Sequence, residues 1–96
     1  DIYPSEFILS NAYPNPFNPT THLNLMIGEE KFISVLVYDM LGSEVNTLMS
    51  KWINAAHHPI IWNGQNYLGQ MVSSGPYFIV AKTHNDTRIQ KVLFMK

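Results

Sequence analysis

The stretch KFISVLVYDMLGSEV, residues 31–45, has the apolar alternation of a β-strand followed by the residues of a tight turn. Ile33, Val35 and Val37 fall on one face of the predicted strand. The opposite face is also largely apolar, which is typical of a central strand covered on one side and partly on the other. This segment therefore favours a β-sheet with the strand in an interior position.

The turn that follows the strand indicates a hairpin. Asp39 occupies the first turn position, and Gly42 lies where a positive φ is needed, so a type I turn with a bulge is predicted. Residues 40–53 are the segment in which a helix could form instead, with apolar residues at helical spacing: Val45, Leu48, Met49 and Trp52. We expect a strand, because Gly42 follows the preceding strand so closely.

Period-two alternation recurs along the rest of the chain, with turn residues between the runs. The runs are THLNLMI (21–27), EVNTLMS (44–50), HHPIIWN (57–63), PYFIVAKTH (76–84) and RIQKVLFMK (88–96). About seven short strands with turns every ~8–12 residues predict an all-β, immunoglobulin-like sandwich of antiparallel strands. We expect a single domain over residues 1–96, with residues 1–8 as a linker or a lead-in to the first strand.

The bulk composition excludes several classes of protein. The chain has 96 residues, of which 46% are hydrophobic and 14% charged, with a net charge of −1 and no cysteine. It carries no basic patch for nucleic acid or an anionic membrane, no disulfide framework and no thiolate metal site. Apolar runs such as residues 35–38 are far short of the ~20 residues of a membrane helix. The lack of a starting Met predicts a piece of a longer or processed protein.

Residue patterns that could carry catalysis or metal binding are weak. His57 and His58 are neighbours on a predicted strand, so their rings point to opposite faces and cannot share one metal ion. Ser73 and Ser74 lack the flanking pattern of a nucleophile elbow. The pair Glu29-Glu30 is better explained as a solvated loop. We expect no catalytic residue, no metal site and no cofactor.

Exposed aromatic residues leave a second function open. Trp52 and Tyr67 lie in the weaker segments, where their rings could be exposed, whereas Trp62 alternates with Ile60 and is predicted to be buried. Flat exposed rings on a sandwich can bind sugars. A carbohydrate-binding or structural accessory module of a secreted enzyme is therefore the alternative function.

The N-terminal stretch NAYPNPFNPTTHLNL, residues 11–25, has three prolines within six positions. Pro14, Pro16 and Pro19 limit φ and restrict the residues before them, which fixes the crossing from the first strand to the second at low entropic cost. Phe17 is expected to anchor this crossing to the sandwich. Residues 13–19 are called the proline segment below.

Four motifs in order resemble a known family. YPNPFNPTT (13–21), VYDMLGSEV (37–45), IWNGQNYLGQMVSSGPYF (61–78) and KVLFMK (91–96) resemble the type A C-terminal sorting domain of the bacterial type IX secretion system. The resemblance covers residues 9–96. The second and third motifs also resemble the immunoglobulin-like domain of the flagellar hook-capping protein.

The resemblance implies a seven-stranded immunoglobulin-like sandwich attached to the C-terminus of a larger exported cargo protein. Such a domain catalyses nothing. It is recognised in the periplasm by the type IX outer-membrane translocon, and a sortase-like peptidase generally removes it. The implied destination is the cell surface or the extracellular space, and the implied partners are the translocon, the peptidase and the upstream cargo domain.

The motif positions carry over residue by residue. The candidates for recognition by the translocon are Pro14, Asn15, Pro16, Phe17, Asn18, Pro19, Lys91 and Lys96. The positions with an expected structural role are Asp39, Gly42, Val45, Trp62, Gly64, Asn66, Gly69, Val72, Ser74, Gly75 and Tyr77.

Two positions depart from the family pattern. Ala56 stands where a glycine is usual, which would cost ~1 kcal/mol or more if that position needs a positive φ. Pro76 stands where a valine is usual, and its missing N–H predicts an edge position for the start of its strand.

Overall fold

Residues 7–96, the part of the chain that the computed structural model describes, form seven antiparallel strands in two packed sheets and no helix. The first sheet has the order β1-β2-β5 and the second the order β4-β3-β6-β7. The predicted immunoglobulin-like sandwich is therefore confirmed. Of the expected linker or lead-in over residues 1–8, residues 1–6 lie outside the described residues, whereas Phe7 is buried and Ile8 begins β1. The strands are β1 (Ile8–Leu9), β2 (Thr21–Ile27), β3 (Lys31–Asp39), β4 (Glu44–Ile53), β5 (Ala56–Trp62), β6 (Gly75–Lys82) and β7 (Thr87–Phe94).

The core lies between the two sheets and is built from the alternating residues of each strand. Ile33, Val35 and Val37 on β3 are fully buried, and β3 is an interior strand between β4 and β6, as the sequence predicts. Every second residue of β2 and β6 is also buried, because alternate side chains of a strand point to the same face. These core residues are Leu23, Leu25, Ile27, Tyr77, Ile79 and Ala81.

Residues 44–53 form strand β4, so the helical alternative for this region is wrong. β4 pairs with β3 along its whole length, from Tyr38 opposite Glu44 to Lys31 opposite Ile53. Two register shifts interrupt this pairing. The apolar spacing that fits a helix is instead divided between the core and the outer face of the sheet, where Trp52 is exposed.

The turn between β3 and β4 has the predicted hairpin geometry. The Gly42 N–H donates to the Asp39 carbonyl at 3.1 Å, and Gly42 has a positive φ. Asp39 Oδ1 accepts hydrogen bonds of 2.9 Å from the N–H groups of Leu41 and Ser43. The Asp side chain therefore satisfies backbone donors that the turn leaves without partners.

The two departures from the family pattern cause little strain. Ala56 begins β5 opposite Ile27. No non-glycine residue of the described chain has a positive φ, so the conformational cost of an alanine at a positive-φ position does not arise at Ala56. Pro76 lies on β6, which is an interior strand and not an edge strand. Its pairing with β3 begins only at Tyr77, however, so the start of β6 has a neighbour on the β7 side alone.

The connections between the strands lie at two ends of the sandwich. The hairpin end is named after the β6–β7 hairpin and the motif end after the family motifs, and the β3–β4 hairpin lies at the motif end. The hairpin end contains the turns at residues 28–30, 54–55 and 83–86, and β1 begins there because Ile8 pairs with Met26 near the end of β2. The motif end contains the proline segment, the turn at 39–43, the loop at 63–74 and the last residues of the chain. No helix within residues 7–96 is long and apolar enough to cross a membrane.

Candidate functional site

The proline segment connects the two sheets at the motif end. Tyr13 exchanges two backbone hydrogen bonds of 2.9 Å with His22 of β2, which belongs to the first sheet. Four residues later, Phe17 pairs in parallel with Phe94 of β7, which belongs to the second sheet. The peptide bonds before all three prolines of the segment are cis. The segment thus crosses the sandwich and makes backbone contacts on both sides.

The outer edge of β7 is covered by this segment. The Phe17 N–H donates to the Leu93 carbonyl at 2.9 Å, and the Met95 N–H donates to the Phe17 carbonyl at 3.0 Å. The Asn15 side chain donates to the Lys91 carbonyl at 3.1 Å and accepts from the Leu93 N–H at 2.9 Å. These bonds protect the last part of an edge strand that would otherwise expose unpaired backbone groups.

Phe17 anchors the crossing in the core, as the sequence predicts. Its side chain is only 2% exposed. Its ring stacks on Phe94 with centroids 5.1 Å apart and lies tilted against Trp62 at 5.4 Å. Trp62 in turn meets the Tyr77 ring edge-on at 5.2 Å. Four aromatic rings from the proline segment, β5, β6 and β7 therefore form one cluster.

The other candidates for recognition remain exposed and lie close together. All of the proline segment between Tyr13 and Pro19 is exposed except Phe17. Lys91 and Lys96 are exposed as well, and the Lys96 N–H donates to Ser74 Oγ at 2.9 Å. The fold thus brings together two groups of residues that lie at opposite ends of the described chain. The exposed atoms of residues 13–19 and 91–96 are called the composite surface below.

The loop between β5 and β6, residues 63–74, is held by hydrogen bonds from its own family-motif residues. Asn66 Oδ1 accepts from the N–H groups of Leu68 and Gln70 at 2.9 and 3.1 Å. Trp62 Nε1 donates to the Gln65 carbonyl at 3.0 Å. Such bonds replace the ladder bonds that an irregular backbone lacks.

The ends of that loop are fixed in the same way. The Val72 N–H donates to the Gly64 carbonyl at 2.9 Å, and the half-buried Val72 side chain packs on the core. The Tyr77 hydroxyl donates to the Ser73 carbonyl at 2.8 Å. The remaining motif positions, Val45, Gly69 and Gly75, lie respectively in the core, in this loop and at the start of β6.

A groove lies between this loop and the β3–β4 turn, and sequence patterns did not indicate it. The Tyr67 hydroxyl donates to the Glu44 carboxylate and lies 2.5 Å from Thr47 Oγ1. The Tyr67 N–H donates to the Val45 carbonyl at 3.1 Å. The hydrogen bond to Glu44 raises the pKa of Tyr67 above its ordinary value of 10.0, because tyrosinate could not donate it.

Side chains that could suggest a metal or sugar site are dispersed. His57 is exposed on β5, whereas Nε2 of the half-buried His58 lies 2.8 Å from the Asn54 carbonyl. Within residues 7–96 no group of three histidine, cysteine or carboxylate side chains could hold a metal ion. Trp52 and Tyr67 are both exposed, but Trp52 pairs with Phe32 near the hairpin end, whereas Tyr67 lies at the motif end. They do not form one aromatic platform.

Comparison with known proteins finds a matching family model and a solved structure with a similar fold. The model of the family described as the secretion system C-terminal sorting domain matches residues 11–95. No curated protein sequence matches the chain. Among solved structures, dimeric latent PorU from Porphyromonas gingivalis is similar, with a TM-score of 0.68 at 16% sequence identity. That similarity covers 94% of this chain but only 9% of the PorU chain, and at this identity it concerns the fold alone.

Proposed function

This chain belongs to the secretion system C-terminal sorting domain family, and on that premise we propose that its motif end is the part recognised by the type IX outer-membrane translocon. Members of the family are non-catalytic sorting signals, and the role of this domain is to direct an exported protein to the cell surface or extracellular space. The finer proposal is that an upstream cargo domain passes through the periplasm with this domain attached. A sortase-like peptidase then removes it.

The contacts between the proline segment and β7 carry the proposal for where recognition occurs. Asn15 contacts Lys91 and Leu93 across sequence separations of 76 and 78 residues. The composite surface is therefore complete only when residues 13–19 and residues 91–96 have folded together. We propose that the translocon reads this surface through the exposed prolines, asparagines and lysines, while Phe17 serves the fold. A translocon component that binds this surface would bind only fully synthesised and folded domains.

The proposal is tested by export of a reporter. Residues 1–96 fused to a periplasmic reporter are expected to send it to the surface or the medium of a type IX-competent host. Removing residues 91–96 is a poor test of recognition, because it also removes the fully buried Val92 and Phe94. The double variant Lys91→Ala/Lys96→Ala alters only exposed side chains, so we expect it to reduce export without changing the thermal midpoint.

The matched control is Lys51→Ala/Lys82→Ala, which changes two exposed lysines outside the composite surface and should leave export intact. If the intact fusion stays in the periplasm, the chain is not a sufficient signal. If the Lys91/Lys96 variant is exported as efficiently as the intact fusion, the lysines are not read.

The alternative functions are not favoured. The family model that matches is that of a sorting domain. Trp52 and Tyr67 lie near different ends of the sandwich and do not form one aromatic platform. We also propose that the resemblance to the flagellar hook-capping domain reflects shared turn chemistry rather than an assembly role. In its support, Asp39 and Trp62, which belong to the shared elements, bond their own local backbone.

A further inference from the structure

The groove beside the β5–β6 loop carries an exposed apolar rim. Leu41 and Leu68 are 87% and 80% exposed, on the β3–β4 turn and the loop respectively. Tyr67 and Met71, which line the groove with Leu68, are exposed as well, and so is Met40, the neighbour of Leu41 on the turn. Several exposed apolar side chains in one region of a small domain are typical of an interaction site.

The walls of the groove are preformed. The Tyr67 N–H and hydroxyl both bond to the β4 side of the groove, and Asn46 Nδ2 donates to the Gln65 carbonyl at 2.8 Å. These bonds tie the loop to the start of β4. A partner would therefore bind a shaped surface without first ordering it, which lowers the entropic cost of association.

The charge of the groove indicates the chemistry of its partner. Asp39 and Glu44 line it together with the rings of Tyr67 and Tyr77. Residues 39–45 and 64–75, which form its two walls, contain no lysine, arginine or histidine. Two carboxylates beside tyrosine rings suit an arginine or lysine side chain, which can combine ion pairing with a cation–π contact.

The same charge disfavours two other occupants. An anionic membrane surface would repel the carboxylates of Asp39 and Glu44. A second copy of this chain, bound through the same face about a two-fold axis, would bring two acidic grooves together. A foreign protein segment with basic and apolar side chains is the occupant that remains.

The groove lies near the composite surface, because Gly64 stands between a residue of each. The position that a Gly64 Cβ would occupy lies 3.2 Å from Met71 Cε and 3.3 Å from the Pro19 carbonyl oxygen. Met71 belongs to the rim of the groove, and Pro19 belongs to the proline segment. The groove and the composite surface both lie at the motif end, whereas β1 begins at the hairpin end.

We propose that this groove docks a segment of the secretion machinery that presents an arginine or lysine flanked by apolar side chains. The basic group lies between Asp39 and Glu44, and the apolar side chains cover Leu41 and Leu68. This inference rests on the proposed function and extends it, because the groove adds an apolar and acidic contact to the composite surface. Both leucines lie within the motif stretches, but neither is among the positions with an expected structural or recognition role.

Export of the same reporter fusion tests the groove. The variant Leu41→Ser/Leu68→Ser is expected to lower export about tenfold or more, the effect of losing central interface contacts. The control Phe32→Ser/Trp52→Ser removes an apolar pair at the hairpin end that is also exposed, at 44% and 66%, and it should leave export unchanged. Glu44→Lys should also lower export, whereas Glu30→Lys, on an exposed turn of the hairpin end, should not. The thermal midpoints of all four variants are measured to check that each still folds.

The outcomes separate this inference from the proposed function. If the unmodified fusion is not exported, the proposed function fails. If it is exported and the groove variants are exported equally well, only the groove inference is overturned.

Two binding measurements distinguish the occupants. Outer-membrane vesicles from a host with the type IX machinery should bind the purified chain, and vesicles from a strain lacking it should not. Equal binding to both vesicles that the leucine variant abolishes would indicate lipid and overturn the inference. A dimer in solution that the same variant dissociates would indicate a second copy and overturn it as well.

Discussion

The two ends of the sandwich are built by different means. At the hairpin end the chain reverses through short turns such as residues 83–86, where Thr83 and Asp86 bond each other. At the motif end three polar side chains, Asn15, Asp39 and Asn66, each make two hydrogen bonds to backbone groups. The motif end therefore depends on particular side chains, whereas the hairpin end depends mainly on the strands that it joins.

This difference changes the meaning of the family motifs. Most motif residues are needed because the motif end has irregular backbone, whose N–H and C=O groups require partners. A residue's presence in a family motif therefore does not indicate that the secretion system recognises it. The residues available for recognition are those that the fold leaves exposed. They include carried-over motif positions, such as Lys91 and Lys96, and other positions of the motif stretches, such as Leu41 and Leu68.

Replacing one phenylalanine at each end gives the largest expected contrast. Phe17→Ala removes a buried ring that packs on Phe94 and Trp62, so it should lower the free energy of unfolding by about 3–5 kcal/mol. Phe32→Ala removes a ring that is 44% exposed near the hairpin end, and its cost should be about 1 kcal/mol or less. Denaturant unfolding of both variants measures the difference. Equal losses would contradict the view that the proline segment is anchored through Phe17.

Two glycines of the β5–β6 loop separate backbone strain from close packing. Gly64 and Gly69 have nearly equal positive φ values, +75° and +77°, so alanine should cost about 1–2 kcal/mol at each from conformation alone. An added Cβ meets nothing within 4 Å at Gly69. At Gly64 it would meet Met71, Phe94 and the Pro19 carbonyl within 3.3 Å.

Gly64→Ala should therefore destabilise the domain by about 1–3 kcal/mol more than Gly69→Ala, through overpacking where the loop meets the proline segment. Thermal unfolding of the two variants gives the comparison. If the two losses are the same, Gly64 is required only for its backbone conformation. The loop would then not be closely packed against the proline segment at Gly64.

The strands could be predicted from the sequence because their information is local. Alternation in residues 21–27 and 76–84 marks buried and exposed faces with period two, and the hairpin at 39–42 is specified by its own four residues. The helical alternative for residues 40–53 failed because apolar spacing cannot distinguish a helix from a strand that is bulged and apolar on both faces. Its long pairing with β3 decides the matter.

The site could be predicted only in part. Its residues were identified through the family motifs, but the meeting of the proline segment with β7 depends on tertiary structure. Asn15 and Leu93 are 78 residues apart, and no pattern in either segment specifies the other. The hydrogen bond between Tyr67 and Glu44 could not be predicted for the same reason, because 23 residues separate the two side chains.

The smallest expected effect is a pH dependence confined to the motif end. Because Tyr67 donates a hydrogen bond to Glu44, its pKa in the folded state lies above the ordinary value of 10.0. The stabilisation from this bond is therefore fully present below the unfolded-state pKa, and it is lost as the pH rises through the folded-state pKa. Alkaline titration followed by the ring-carbon NMR shifts of Tyr67 should show this raised pKa, together with amide shift changes in residues 44–47 and 66–68.

The comparison of the two ends supplies the control for this titration. Glu44→Ala removes the principal cause of the shift, so the pKa of Tyr67 should fall back towards 10.0, whereas Glu30→Ala at the hairpin end should leave it raised. A raised pKa that persists in Glu44→Ala would mean that the loop is held to β4 by other contacts and that the wall of the groove does not depend on this hydrogen bond. If amides at residues 83–86 respond together with those of the motif end, the two ends are coupled through the strands and the contrast between them is weaker than their turns suggest.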